Sequence, residues 1–147
     1  MSKAFTKEDD DAPPPPVTRR GVPVPDPNFV TPAGLAAARA EHDHGGGDEA
    51  RQRELADHLA TAQAVEPPAD RGEIGLGAIV TVEDDAGTRT TYHLVGAIEA
   101  DARRGLVSWQ SPIANALWGL RAGDTAVLPR AGEVTIVAIA YPQIADR

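Results

Sequence analysis

The apolar residues of this chain change their spacing at Gly75, and this change limits the folds that are available to it. Before Gly75, apolar residues recur at intervals of three and four, which is typical of an amphipathic helix. After it, stretches such as "AIVTVE" and "TTYHLVG" alternate with a period of two, which indicates half-buried strands. A run of helix followed by a run of strands predicts an α+β fold.

Two helices are predicted in residues 29–71. In the first, Thr31 is a good N-cap and Pro32 a good first helical residue, and the helix runs to about Glu41. In the second, Asp48 is the N-cap, the helix continues to about residue 65, and an apolar stripe is formed by Leu55, Leu59 and Ala62. The glycine-rich loop between them predicts a short antiparallel helical hairpin, with unequal arms of roughly 15 Å and roughly 25 Å at 1.5 Å per residue.

Residues 72–142 are predicted to form a second unit, an antiparallel sheet of about five strands with one short helix. Ser111 is the expected N-cap of that helix, Pro112 its first residue, and Gly119 its stop. About 70 residues suffice for a unit that folds on its own. The predicted core consists of Val80, Val82, Tyr92, Leu94, Leu106, Ile113, Leu117, Val127, Ile136 and Ile139.

Residues 1–28 are rich in proline and are predicted to be a disordered or semi-rigid tail. The "PPPP" run has the composition of a ligand for an aromatic groove, but a solvated tail is the favoured interpretation.

Composition excludes several classes of function. The chain has no cysteine, which rules out disulfides, zinc ribbons and thiol nucleophiles. Its net charge of −8 argues against direct DNA binding, which requires clustered Lys and Arg. No apolar run reaches membrane-spanning length and the first residues do not resemble a secretion signal, so we expect a cytoplasmic protein without membrane contact.

The stretch "AEHDHGGGDEA" raises the question of a metal site at the hairpin tip. Imidazole and carboxylate groups can together hold a divalent ion, but the glycines leave their geometry unfixed. We therefore expect a solvated acidic turn, with no metal, no cofactor and no catalytic residue. The tip residues concerned are Glu41, His42, Asp43, His44, Asp48 and Glu49.

Each of the two tryptophans stands at the boundary of an element, where an indole serves either core or interface. We expect Trp118 mainly in core packing, and for Trp109 the two interpretations are about equal.

The motifs "YHLVG", "EAD", "GLVSWQSPIANALWG", "GD" and "EVTIVAIAY" resemble the C-terminal domain of the bacterial Gre transcript-cleavage and elongation factors, the GreA/GreB family. The resemblance covers about 70 residues. It implies an FKBP-like fold and a monomer that binds RNA polymerase, gripping a coiled coil of the β′ subunit at the rim of the secondary channel. "VTPAGLAAARAEH" and "RQRELADHLATAQAVEP" resemble the two ends of the coiled coil that carries the family's N-terminal tip.

The resemblance also implies the docking residues. The family grips polymerase with the loop before the short helix, which places Ser111 and Pro112 in the contact and Trp109 and Ile113 close by. Some members carry Asp immediately before the serine. Here that residue is Gln110, so a charge-assisted contact is missing at this position.

The main departure from the family lies at the hairpin tip. In the family, an acidic pair at the end of a long coiled coil helps to hold a catalytic Mg²⁺ for RNA cleavage. Much of that coiled coil and its tip motif are absent here, and "EHDHGGGDEA" closes the gap. We therefore expect a secondary-channel factor without cleavage stimulation that acts as a competitor or modulator. The alternatives are an active cleavage factor and, from another class, an FKBP-like prolyl isomerase or chaperone.

Overall fold

The computed structural model describes residues 22–45 and 47–142. A short strand and two helices come first, and the five-stranded sheet follows. The helices are α1 (Pro32–Asp43), α2 (Glu49–Thr61) and α3 (Pro112–Leu117). The strands are β1 (Phe29–Val30), β2 (Gln63–Ala64), β3 (Ile79–Glu83), β4 (Arg89–Val95), β5 (Leu106–Ser108), β6 (Thr125–Leu128) and β7 (Gly132–Ala140).

Both hairpin helices begin where local capping chemistry predicts. The Thr31 hydroxyl accepts a hydrogen bond from the Gly34 amide at 2.9 Å. The Asp48 carboxylate accepts one from the Arg51 amide at 2.8 Å. Each bond satisfies an amide that has no partner within its own helix.

The ends of the helices differ from the prediction. Helix α1 continues to Asp43, two residues further than expected, and α2 stops at Thr61, before residue 65. Residues Gln63–Ala64 instead pair in parallel with Phe29–Val30. The arms have 12 and 13 residues, so the expectation of unequal arms was wrong.

The α+β class is confirmed, with one correction to the sheet. Its strand order is β5-β4-β3-β7-β6. The pairs β4–β3, β3–β7 and β7–β6 are antiparallel, but β5 runs parallel to β4. The sheet is therefore mixed, because the chain between β4 and β5 crosses back through two short 3₁₀ turns, Ala97–Glu99 and Ala102–Arg104.

Helix α3 closes one face of the sheet over the core. Five predicted core residues are buried, namely Val80, Val82, Leu94, Leu117 and Ile136. Tyr92, Ile113 and Ile139 are partly buried against this core, and Leu106 is half-buried.

Two large apolar side chains lie outside the core, contrary to prediction. Val127 is 73% exposed because the neighbouring residues of β6, Ala126 and Leu128, take the inward positions. Trp118 is 45% exposed because α3 ends at Leu117, so the indole follows the last helical turn.

The hairpin contacts the sheet domain through Phe29, Thr31, Gly96, Glu99 and Trp109, a group of contacts here called the joint. Glu99 lies at its centre. The Glu99 carboxylate accepts hydrogen bonds from the Thr31 amide (3.0 Å), the Thr31 hydroxyl (2.6 Å) and the Gly96 amide (2.8 Å). Beside it, the rings of Phe29 and Trp109 pack with centroids 5.4 Å apart. A carboxylate at the start of α1 is also favoured by the helix dipole.

The predicted tail is described only in part, because residues 1–21 lie outside the described residues. Residues 22–28 do not extend freely: Pro25 and Asn28 are buried. The division of the chain at residues 28 and 71 stays a prediction.

Candidate functional site

The loop before α3 is held by hydrogen bonds to β4, within its own backbone and to the Ser108 side chain. The Trp109 amide donates to the Val95 carbonyl at 2.8 Å, and the Ser111 amide to the Ser108 carbonyl at 2.9 Å. The Ser108 hydroxyl accepts from the Gln110 amide at 3.2 Å. The loop therefore presents its side chains from a fixed frame.

The predicted docking residues divide by exposure. Gln110 and Pro112 are exposed, while Ser111 is half-buried as the N-cap of α3, accepting a hydrogen bond from the Ala114 amide at 3.2 Å. Ile113 is partly buried against the core. The exposed side chains of these residues are thus those of Gln110 and Pro112, on either side of Ser111.

The expectation for Trp118 was wrong, and of the two interpretations left open for Trp109 the structure favours packing. The Trp109 ring packs on Phe29, and its indole nitrogen is buried without a hydrogen-bond partner among the described residues. Trp118, which follows the last residue of α3, is the exposed indole. The sequence offered one signal for this: a helix as short as "PIANAL" leaves its following residue beyond the last turn.

At the hairpin tip, several predicted residues bond within the hairpin. Glu41 accepts hydrogen bonds from the Arg51 guanidinium at 2.7 and 2.8 Å, and this contact lowers the pKa of the Glu41 carboxyl. Arg51 also pairs with Glu54 at 2.8 Å. Asp48 caps α2, so two of the tip's carboxylates are engaged in holding the two arms.

The remaining tip residues do not converge. His44 hydrogen-bonds to the Ala40 carbonyl at 2.6 Å, and the imidazole of His42 lies 3.8 Å from the carboxylate of its neighbour Asp43. Glu49 is exposed in the first turn of α2. Within residues 22–45 and 47–142, no group of three or more His, Asp or Glu side chains is placed to hold a metal ion.

A cleft of about 670 Å³ lies between α1 and the sheet domain. Its polar lining comes from six side chains, and no Phe, Tyr or Trp is among the described residues that line it. Burial lowers the pKa of His93 in this cleft. The polar lining residues are Thr31, Glu41, Arg51, His93, Glu99 and Arg104.

Within the described part of the chain, no helix has the length and apolar character needed to cross a membrane.

These features define a class of small proteins in which a helical hairpin is joined to a mixed five-stranded α+β domain that carries a rigid, exposed loop. A family model described as "Transcription elongation factor, GreA/GreB, C-term" matches residues 68–141. The chain belongs to the GreA/GreB transcription elongation factor family.

Two relatives named GreA agree with this assignment. The chain is 40% identical to transcription elongation factor GreA of Alkalilimnicola ehrlichii over 63% of each chain. It is 37% identical to GreA of Verminephrobacter eiseniae over 69% of this chain and 68% of that one. A solved GreA/GreB factor from Nitrosomonas europaea aligns with 78% of this chain and 98% of its own, at 21% identity and a TM-score of 0.45. The chain spans 63% of the length of the first of these relatives.

Proposed function

We propose that this chain binds RNA polymerase at the rim of the secondary channel and does not itself stimulate transcript cleavage. It acts there as a competitor or modulator of full-length factors. Membership of the GreA/GreB family and relatives named transcription elongation factors support the general role. The chain's acidity favours a monomeric factor that makes no direct contact with DNA, and the cytoplasm is its proposed location.

The loop before α3 is the proposed docking element, with the β′ coiled coil as its partner. Gln110 and Pro112 are exposed on a backbone that hydrogen bonds hold in place. Ser111 maintains the start of α3, and Trp109 supports the loop from below through Phe29. A fixed loop loses little conformational entropy on binding, which favours its use as a docking surface.

The short hairpin is the observation that carries the second half of the proposal. Its arms of 12 and 13 residues span roughly 18 and 20 Å at 1.5 Å per residue. Of its acids, Glu41 is bound to Arg51 and Asp48 caps α2. Electrostatic stabilisation of a reacting centre needs preorganised groups in contact with it, and this tip offers neither the reach nor free, fixed acids.

Transcript cleavage in a backtracked elongation complex tests the function. We expect no release of the 3′ RNA fragment when the chain is added alone, and progressive inhibition when it is titrated against a full-length cleavage factor. Release by the chain alone would overturn the absence of cleavage stimulation. A titration without inhibition would overturn competition at the channel rim.

The docking loop is tested by Pro112→Glu in the same competition assay. The residue is exposed, and glutamate suits the first turn of a helix, so α3 is retained. We expect affinity for polymerase to fall by about tenfold or more, the scale of a central interface residue. Pro129→Glu, an exposed proline outside the docking loop, is the matched control and should bind like the wild type.

A further inference from the structure

The cleft of about 670 Å³ between α1 and the sheet domain stays open because α1 presents small residues to it. Gly34, Ala37 and Ala38 line the cleft and have the spacing of one helix face. Side chains of this size do not fill the space in front of the sheet domain. The volume lies within the roughly 300–1,000 Å³ that is typical of small-molecule sites.

Beyond α1, the wall of the cleft is largely aliphatic. No Phe, Tyr or Trp is among the described residues that line it. Proteins commonly hold nucleotide bases by stacking them on aromatic side chains. This wall therefore favours a saturated aliphatic group over a base. The aliphatic lining residues are Val65, Leu76, Val95, Ile98 and Leu106.

The acidic side chains of the cleft already have partners. The Glu41 carboxylate pairs with the Arg51 guanidinium at 2.7 Å. The Glu99 carboxylate accepts hydrogen bonds through both of its oxygens, from Thr31 and from the Gly96 amide. Neither carboxylate is left without a partner to attract a cationic ligand.

Arg104 is the charged lining residue that has no partner. Within residues 22–45 and 47–142, its exposed guanidinium forms no ion pair and no hydrogen bond. It stands at the end of the second 3₁₀ turn, two residues before β5. A guanidinium presents a planar fork of donors that matches a carboxylate. Burial lowers the pKa of His93, so that imidazole adds no positive charge to the cleft at neutral pH.

We infer that this cleft binds a small aliphatic carboxylate, with the carboxylate on Arg104 and the alkyl chain against the aliphatic wall. Charge complementarity selects the anion, because Arg104 is the lining charge left unpaired among the described residues. The aliphatic lining selects the alkyl chain, which leaves water on binding. The site is separate from the proposed docking loop, since residues 109–113 contribute nothing to the described lining.

Isothermal titration calorimetry of the full chain with decanoate, below its micelle-forming concentration, tests the anion site. Decanoate should bind about tenfold or more tightly than decylammonium, although the chain's net charge of −8 favours the cation. Arg104→Gln should weaken decanoate binding by about tenfold, the effect of losing one charge-assisted hydrogen bond. Arg103→Gln, an exposed neighbour outside the described lining, is the matched control and should bind like the wild type. Unchanged binding by Arg104→Gln would overturn the inference.

A second pair of variants tests the location of the ligand. Ala37→Glu places a carboxylate in the α1 wall and should weaken decanoate binding by about fivefold or more, through repulsion of the like charge. Ala36→Glu, at the next exposed position of α1 and outside the described lining, should bind like the wild type. Glutamate is a good helix former, so both variants retain α1. Equal binding by Ala37→Glu and Ala36→Glu would place the ligand elsewhere.

Other occupants of the cleft give different results. Tighter binding of AMP than of decanoate would overturn the aliphatic class of ligand. Decanoate binding that appears only after removal of residues 143–147 would assign the cleft to that segment, which follows the lining residue Pro142. A wild-type dimer in sedimentation that Ala37→Glu dissociates would assign the cleft to a second copy of the chain. None of these results bears on polymerase docking, which Pro112→Glu tests separately.

Discussion

At the scale of single residues, Glu99 connects the hairpin to the sheet domain, a role that its place in the sequence did not indicate. In "EAD" it belongs to a family motif without an assigned role, yet its carboxylate accepts three hydrogen bonds, of which two join the start of α1 to the sheet domain. Two of its donors belong to Thr31, 68 residues earlier. A contact across that separation leaves no local pattern, so sequence reasoning missed it.

His93 carries the residue-scale prediction, which concerns pH. Burial lowers its pKa, although the charge of Glu99 and a hydrogen bond to the Gly77 backbone act in the opposite direction. Below the ordinary histidine pKa of about 6.5, the unfolded chain therefore binds a proton that the folded chain resists. The free energy of unfolding should fall as the pH is lowered through this range.

The measurement is urea unfolding at about pH 7.5 and about pH 5.5, on either side of that value. His93→Asn, which keeps a side-chain N–H for Gly77, should lose less stability between the two conditions than the wild type. His44→Asn, an exposed histidine at the end of α1, should behave as the wild type does. Equal losses in the wild type and His93→Asn would show that His93 is not the group responsible.

At the scale of elements, the start of α1 is adapted to its neighbour rather than to helix propensity. Gly34 lies inside α1, where replacing glycine by alanine ordinarily stabilises a helix by about 1 kcal/mol. A Cβ at this position would collide with the carboxylate end of Glu99. Glycine is therefore required by the joint, at a cost to the helix.

This conflict predicts a change of sign in a double-mutant cycle. Gly34→Ala should lower the free energy of unfolding of the wild type by about 1–3 kcal/mol, because Glu99 must leave its hydrogen-bonded position. In a Glu99→Ala background, Gly34→Ala should instead raise it by about 0.5–1 kcal/mol. Urea unfolding measures both values. The same sign in both backgrounds would contradict the role given to Glu99.

At the scale of the whole molecule, the joint makes the hairpin and the sheet domain one packed unit. Phe29 packs on Trp109, and a Cβ on Gly96 would lie 2.7 Å from the Phe29 carbonyl oxygen. The hairpin and the sheet domain are therefore closely packed at this point. We expect the hairpin and the domain to unfold together.

Phe29→Ala tests this cooperativity. With Trp118→Phe as the background, Trp109 is the one remaining tryptophan, so its fluorescence reports the joint while circular dichroism reports mainly the helices. The two urea transitions should coincide in this background. After Phe29→Ala they should separate, with helical signal lost first, because the ring that bridges the two parts is gone.

Phe29→Leu is the control, since it preserves most of the apolar volume and should keep the transitions together. Coincident transitions in Phe29→Ala would show that the ring pair does not couple the two parts.

Several features followed from the sequence because they depend on neighbours within one turn or one strand. The change of apolar period at Gly75 predicted helices before the sheet, and Thr31, Asp48 and Ser111 each begin their helix as predicted. A cap and its amide lie three residues apart, so sequence contains the whole interaction.

Other features were decided by tertiary contacts between distant residues. Helix α2 ends early because its last predicted residues pair with Phe29–Val30, and β5 joins the sheet in parallel beside β4. Alternation alone did not say which residues of β6 face the core, so Val127 was misplaced. Local pattern determines where elements start and what they are, but long-range packing selects their ends, their faces and their neighbours, because only burial in the folded chain distinguishes between those arrangements.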